Sequence, residues 1–551
     1  GNGKILYEVT NRGRKLLFAW LHDATSVPAD ALNDPTRAAH VGNGFALRQG
    51  YTLVWSGWDP DAPAANGGMR IRVPVATDGD KPIMRTIRDE FVFGPRVPVA
   101  SPTAPLSYEP ASLDQAQARL TVRAREADAP VEVPAAEWQF RGPRAIALLP
   151  DGTAFKPGFI YDFRYVAKDP KVLGIGFAAT RDLVAFLRHE TADGAGTANP
   201  VMAGPKGVRA VLAIGISQAG RYLREHVERG FNRDEAGRRV FDGVLSHIAG
   251  AGKMFMNAQF AQPSRTATQH EDHAFPEVTA PFMVLRGGDA DPKMMEVNTS
   301  TEYWQKGASL LHTDPLAKAD VALPENLRIF FIAGTQHGGR AGTASDVGLC
   351  RVPRNPHSAT PALRALLVSL DAWVTEGTRP PRNRIPQLRD GTLVEAAKLG
   401  FPAIPGVEAP RAANQVGPVD NWVDPKRDAA SPWVSLVVKV DADGNEMTGV
   451  RLPDVAAALG THTGWNLYAA PELAGELCDR DGLFVPFAVT KAQRDAAKDP
   501  RLSLEERYRN RAGWVSYVKA VVYDLLRERL LLKEDADRFV TAAEAADPFK
   551  K

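Results

Sequence analysis

Cysteine is scarce in this chain of 551 residues: there are two, Cys350 and Cys478. Neither has a C-x-x-C or H-x-x-x-H neighbour, and zinc needs a third and a fourth ligand, so no cysteine-based metal site is expected. The pair fits either one disulfide of an oxidising compartment or two unrelated thiols. No apolar run reaches the roughly 18–20 residues that span a bilayer. Net charge is only +2 and the basic residues are scattered. Without a Lys/Arg run, neither nucleic acid nor an anionic membrane surface is an expected partner. What is present, 44% hydrophobic and 24% charged residues, is a globular composition, large enough for one elaborated domain or several. The chain opens at "GNGKILYEV", almost directly in a strand, which leads us to expect a processed or missing N-terminal part.

Both "KILYEV" and "GYTLVWSGWD" (Gly50 to Asp59) read as strands buried on two faces, as in a parallel sheet. From about 66 to 165, prolines and short alternating stretches ("IRVPVAT", "ARLTVRARE", "EWQF") suggest an antiparallel β-rich insertion. At Leu173 an α/β rhythm begins again. A helix carrying Phe177, Leu183 and Leu187 is followed by "VRAVLAIG", a second helix, "DGVLSHIAGAG", "KMMEVN" and "RIFFIAGTQH". Strands alternating with helices argue for a mostly parallel sheet covered on both faces, an α/β fold. In "TPALRALLVSLDAWVTEG", Thr360 suits the N-cap, Pro361 the first turn and Gly377 the residue past the end. Ser503 and Glu506 form a capping-box pattern that opens a last helical region through Val518, Val522 and Leu525. The division expected is a first part of the core (1–65), the insertion (66–165), the rest of the core (166–380) with a cap-like excursion at 253–293, and a C-terminal extension packed on the core (381–551).

One stretch carries chemistry. "VLAIGISQAGRYLREHVERG", Val211 to Gly230, passes from an apolar strand to an amphipathic helix through a turn of a few residues. Ser217 stands in that turn, with Gly215 two residues before it. This is the G-x-S-x-G nucleophile elbow in its strand–turn–helix context, except that Ala219 holds the final glycine position and Gly220 follows. The alternative is a plain serine in a tight turn. As a nucleophile, Ser217 would present its hydroxyl above the strand end, with the helix N-terminus and the Gln218 N–H aimed at a developing oxyanion.

Such a serine needs a base and an acid, in the chain order Ser, acid, His. Of eleven histidines, only His337 directly follows a fully apolar strand, "RIFFIAG". Glu302, just past "KMMEVN", is the preferred acid; Asp289, Asp291 and Asp314 remain its rivals. A second oxyanion donor is expected in the loop after the first strand, a backbone N–H at Asn11 to Gly13 centred on Arg12. Trp55, Trp58, Tyr303 and His247 lie near strand ends and are candidates to line a substrate pocket, against the alternative of ordinary core packing. "QHEDH" (269–273) matches no strong metal motif and reads as a cap segment.

The segments "YEVTNRGRK", "NGFALRQGYTLVWSGWD", "GISQAGRYLREHVERGFNRDEAGRRVFDGVLSHIAGAG", "NTSTEYWQKGASLLHTDP", "IAGTQHGG" and "GFPAIPGV" together resemble the bacterial alpha/beta hydrolase domain family over nearly the whole chain. The resemblance implies an α/β-hydrolase fold with Ser217, Glu302 and His337 in the triad positions. It also implies export, to the periplasm or outside the cell, and with it a Cys350–Cys478 disulfide. The function expected is a serine hydrolase acting on small-molecule or oligomeric carboxylic esters, with no metal or organic cofactor. The alternatives are an amide, peptide or lactone hydrolase on the same triad, or a non-catalytic binding protein on a hydrolase fold.

Overall fold

The structure is a computed structural model that describes residues 2–24, 27–64, 67–93, 102–125, 128–202, 207–263, 285, 287–338, 346–414 and 433–550. Its centre is a six-stranded sheet of β1 (Lys4–Val9), β2 (Thr52–Ser56), β3 (Ala210–Ile216), β4 (Gly243–His247), β5 (Lys293–Thr299) and β6 (Leu327–Ile332). The order is β2-β1-β3-β4-β5-β6 and every pairing is parallel. All six carboxyl ends therefore share one edge, where open α/β sheets place their chemistry.

Side-chain alternation along the strands builds the two layers. Ile5, Tyr7 and Val9 of β1, with Val211 and Ala213 of β3, meet α1 (Ile175–His189) and α2 (Gln218–Glu228) through Phe177, Tyr222 and Leu223. Leu6, Leu212, Ile214 and Ile216 point the other way. They share a core with Leu363, Leu366 and Leu370, residues of the helix Thr360–Glu376, and with Trp514 and Val518 of the helix Arg511–Arg527. A strand so enclosed has no polar face, which is why β3 reads as an unbroken apolar run. β2 departs from the sequence expectation. It is half-buried throughout, because it has only one neighbour at the sheet edge.

Between β2 and α1 the chain forms two small antiparallel sheets and a two-stranded hairpin, Thr77–Asp78 with Lys81–Pro82. The larger pairs Met84–Val92 with Ile160–Lys168 over nine residues. They have their own aromatic core, including Trp138, Phe163 and Tyr165. "IRVPVAT" gives a strand only its last residue, Thr77, paired with Pro82; Val75 makes an isolated bridge to Lys171, and Pro74 cannot donate to a ladder.

Two helix starts also differ from the sequence reading. Ala359, not Thr360, is the N-cap of its helix, while Gly377 closes it at φ 71°. The Ser503–Glu506 capping box opens only Leu504–Tyr508. Arg509, at φ 65°, breaks the chain there, and Asn510 caps a new helix by accepting from Gly513 N.

Residues beyond 381 are built into the core. Backbone at Arg384 and Val450 pairs with Phe330 and Ile332 on the outer edge of β6, covering an edge that would otherwise be open to another chain. Arg364, fully buried, donates through Nε to Asp535 Oδ2 (2.9 Å) and through Nη1 to Asp23 (2.9 Å). Cys350 and Cys478 are joined by a disulfide. No helix among the described residues is long and apolar enough to cross a membrane.

Candidate active site

β3 ends at Ile216, and the next residue, Ser217, starts α2 with φ 61° and ψ −118°. A non-glycine residue in that region is strained, and strain of this kind gathers at functional turns. Its surroundings hold it there. Ser217 N–H donates to the carbonyl of His247 on the adjacent strand (2.7 Å). A Cβ on Gly215 would lie 2.4 Å from the Ala219 carbonyl oxygen, and one on Gly220 would lie 2.7 Å from Ser246 Oγ. Glycine is thus required at 215 and 220, and the buried methyl of Ala219 is tolerated, which explains the departure from G-x-S-x-G.

The loop after β1 reaches this turn. Asn11 Nδ2 donates to the Ile216 carbonyl (3.0 Å), and Asn11 and Arg14 exchange backbone hydrogen bonds. At the tip, Arg12 (φ 49°) and Gly13 (φ 80°) turn the chain. Because the Asn11 N–H is engaged by Arg14, the N–H groups at the tip are the ones left to aim at an oxyanion. Glu8 fixes the base of the loop, accepting from Leu16 N (2.6 Å), Leu17 N (3.1 Å) and Trp55 Nε1 (2.6 Å). Burial pushes its carboxyl up to about 7.

On the next strands the acid and the base meet. Glu302 lies in the first turn of α3 (Ser300–Gln305), directly after β5. His337 follows β6. Its Nδ1 is 2.5 Å from Glu302 Oε1. The other carboxylate oxygen of Glu302 accepts from the backbone N–H (3.0 Å) and the hydroxyl of Thr299. Burial works to raise the Glu302 pKa, but His337 and the Thr299 donors outweigh it and hold the group below the usual carboxylate value. An ionised carboxylate only accepts, so Nδ1 carries the proton and Nε2 is left as the basic nitrogen. Burial lowers the His337 pKa against the raising effect of Glu302, and the positive charges of Arg480 and Lys306 act in the same direction as burial.

Residues that sequence reasoning missed hold this pair in place. Thr301 Oγ1 accepts from His337 N (3.0 Å) and donates to Gly464 O (2.6 Å). Glu446 is buried and accepts from Ser300 Oγ (2.6 Å) and from Gly334 N (2.6 Å), tying the start of α3 to the loop that carries His337. Its carboxyl is pushed up to about 7 by burial. Thr299 and Glu302 form a capping box, a signal legible in "TSTE". No local pattern marks Glu446 or Gly464, which arrive from far along the chain.

The rival acids are used elsewhere. Asp314 accepts from the backbone of Leu316, Lys318 and Ala319 in its own turn, Asp291 accepts from Gly287 N, and the backbone carbonyl of Asp289 accepts from Arg239. Three of the proposed pocket residues pack instead of lining a pocket. Trp58 donates to Thr10 O and stacks near Tyr222, Tyr303 bonds to His312 and packs on Phe331, and Trp55 is the clamp on Glu8. Each has an apolar body and one polar atom, and each finds a buried partner for it. His247 is buried against Trp20, with Nδ1 3.1 Å from Val297 O. Burial pulls it down to about 4, so it is neutral near pH 7. Its carbonyl anchors Ser217, and its ring feels the charges of both Glu302 and His337. The "QHEDH" segment and much of the 253–293 excursion lie outside the described residues.

A strained serine after one strand, a glutamate after a second and a histidine after a third occupy a single edge of the sheet. Comparison with known proteins agrees with that architecture: a family model described as alpha/beta hydrolase domain matches residues 125–541, well over half of the chain. Searches of curated proteins and of solved structures found no match. The chain belongs to the alpha/beta hydrolase domain family, and hydrolysis is the class of reaction that this membership assigns to it.

Proposed function

We propose that the protein is a serine hydrolase of carboxylic esters, with Ser217 as nucleophile, His337 as base and Glu302 as the acid that orients it. The observation that carries this reading is the Nδ1–Oε1 contact of 2.5 Å between His337 and Glu302, formed on the same sheet edge as the strained Ser217. His337 Nε2 takes the hydroxyl proton as Ser217 Oγ attacks the ester carbonyl. The imidazolium is stabilised by the buried Glu302 carboxylate. The tetrahedral oxyanion is received by Gln218 N–H at the start of α2 and by a second N–H at Arg12 or Gly13. His337 then protonates the departing alcohol. Water repeats the cycle on the acyl-enzyme and regenerates Ser217.

The Cys350–Cys478 disulfide supports placing the protein in an oxidising compartment, periplasmic or extracellular. Hydrolysis of p-nitrophenyl esters, alongside the matched anilides, tests the chemistry. Esters should be cleaved faster than anilides, and Ser217→Ala should lower the ester rate by about 10³-fold or more. An unchanged rate in Ser217→Ala would remove the proposal.

A further inference from the structure

A cavity of about 480 Å³ lies between the β-rich insertion and the catalytic edge. Both residues that flank Ser217 are tied to its walls. Arg12 lines it, and the neighbouring Asn11 side chain donates to Ile216 O (3.0 Å). Pro263 lines it, and its carbonyl accepts from Gln218 Nε2 (2.8 Å). Among the described residues neither Ser217 nor His337 is part of the lining. The cavity is thus tied to the Ser217 turn through the residues on either side of it, a place for the distal part of a substrate held at Ser217.

Its chemistry is unlike an acyl pocket. Its lining combines the acidic Asp59, Asp61, Asp89 and Glu90 with Arg12 and Arg144, and Arg144 lies 3.9 Å from Asp61. Gln262 and Ser107 add neutral polar groups, while Phe91 and Leu106 give apolar surface. Of its polar side chains Asp59, Asp89 and Gln262 are almost wholly buried, and Asp89 is already held by Ser107 N (2.9 Å) and the Tyr165 hydroxyl (3.0 Å). Asp59 is 6% exposed, and one oxygen accepts from Asp61 N (2.8 Å). Among the described residues nothing donates to its other oxygen. Gln262 is 7% exposed; its Nε2 donates to Arg88 O (3.1 Å), which leaves the amide oxygen to the cavity. Burial raises the Asp59 carboxyl above its usual range. An alkyl group in this space would leave those acceptors without donors, and buried polar groups built for hydrogen bonding reject ligands that cannot supply it.

We propose that this cavity is the specificity subsite of the hydrolase, and that it holds a polyhydroxylated, sugar-like part of the ester. Hydroxyls donate to Asp59 and Gln262 and accept from Arg12, and a ring face lies on the apolar wall. The inference rests on the serine hydrolase reading, because the subsite is defined by its position beside Ser217.

Three substrates with a common acetyl group test it: an acetylated methyl glycoside, a simple alkyl acetate and acetylcholine. The acetylated glycoside should exceed the alkyl acetate in kcat/KM by at least tenfold. Asp59→Asn keeps the acceptor for Asp61 N and should cut that ratio about tenfold, and Gln262→Ala should cut it as well. Equal rates on all three, or a preference for the cationic ester, would overturn the subsite and leave the hydrolase reading intact. Calorimetric titration of the acetylated glycoside into Ser217→Ala protein judges the cavity without turnover. Binding there that is weakened by Asp59→Asn supports it even if esters are not cleaved, and no binding overturns it.

Discussion

His337 Nδ1 and Glu302 Oε1 lie 2.5 Å apart, although they arrive on separate strands. The contact fixes which imidazole nitrogen is free. Replacing Glu302 by Gln keeps the shape, but its one amide oxygen serves either Thr299 or His337, so His337 meets a neutral oxygen or, with Thr299 satisfied, an N–H. The imidazole is then free to take the wrong tautomer, and its charged form loses its counter-ion. We expect kcat for ester hydrolysis to fall about 10³- to 10⁴-fold with a smaller change in KM. Steady-state kinetics on folded Glu302→Gln protein checks this, and a fall of less than tenfold would count against it.

The buried imidazole sets the pH profile. In the proposed mechanism His337 must be neutral to accept the Ser217 proton, and burial holds its pKa below the ordinary histidine value of about 6.5. Activity is therefore lost as pH falls through the His337 pKa and is at full level above it. The acid limb of kcat/KM should have its midpoint below about 6.5. A midpoint above 7 would contradict the assignment.

Glu446 links α3 to the loop of His337 and touches neither reacting group. In Glu446→Ala, Ser300 Oγ and Gly334 N–H both lose a buried acceptor, at about 1–3 kcal/mol each. The melting temperature should drop, and kcat should fall roughly tenfold while KM holds, because the acid and base would no longer share one frame. Rescue of kcat by Glu446→Gln, which restores an acceptor, would separate positioning from charge. An unchanged kcat in the alanine variant would show that the link is dispensable.

What could be read from the sequence follows from how locally each feature is encoded. β3, the Ser217 turn and α2 are contiguous, and their apolar run, glycines and helical stripe are all visible in one window. The Glu302–His337 contact could be anticipated because each residue lies in the turn past a buried strand. Which N–H of the Asn11–Gly13 loop is free could not be read, since that depends on the Asn11–Arg14 pairing. For Trp58 and Tyr303 the sequence left pocket lining and core packing both open, because proximity to a strand end does not say which way a side chain packs. Glu446 and Gly464 left no trace, because their partners at Ser300 and Thr301 are distant in sequence and the contact exists only in the fold. The capping box at Ser503 was visible, but the left-handed turn at Arg509 that ends its helix was not.

Arg364 and Asp535 join the helix Thr360–Glu376 to the C-terminal helix Lys533–Ala545, and both side chains are buried. Removing Asp535 leaves the buried Arg364 guanidinium with Asp23 as its one remaining carboxylate, so its charge in the core is only partly compensated. Asp535→Ala should destabilise the protein by about 3–5 kcal/mol, read as a lower urea midpoint. A shift equivalent to less than about 1 kcal/mol, the value of an exposed pair, would mean that the C-terminal helix is not integral to the core.

The most direct test of the central claim is to treat the folded protein with a fluorophosphonate and map the adduct by mass spectrometry. A triad at this sheet edge predicts a single adduct on Ser217, absent in Ser217→Ala and formed far more slowly in His337→Ala. Well-folded protein that stays unlabelled, or that is labelled on a different residue, would contradict it.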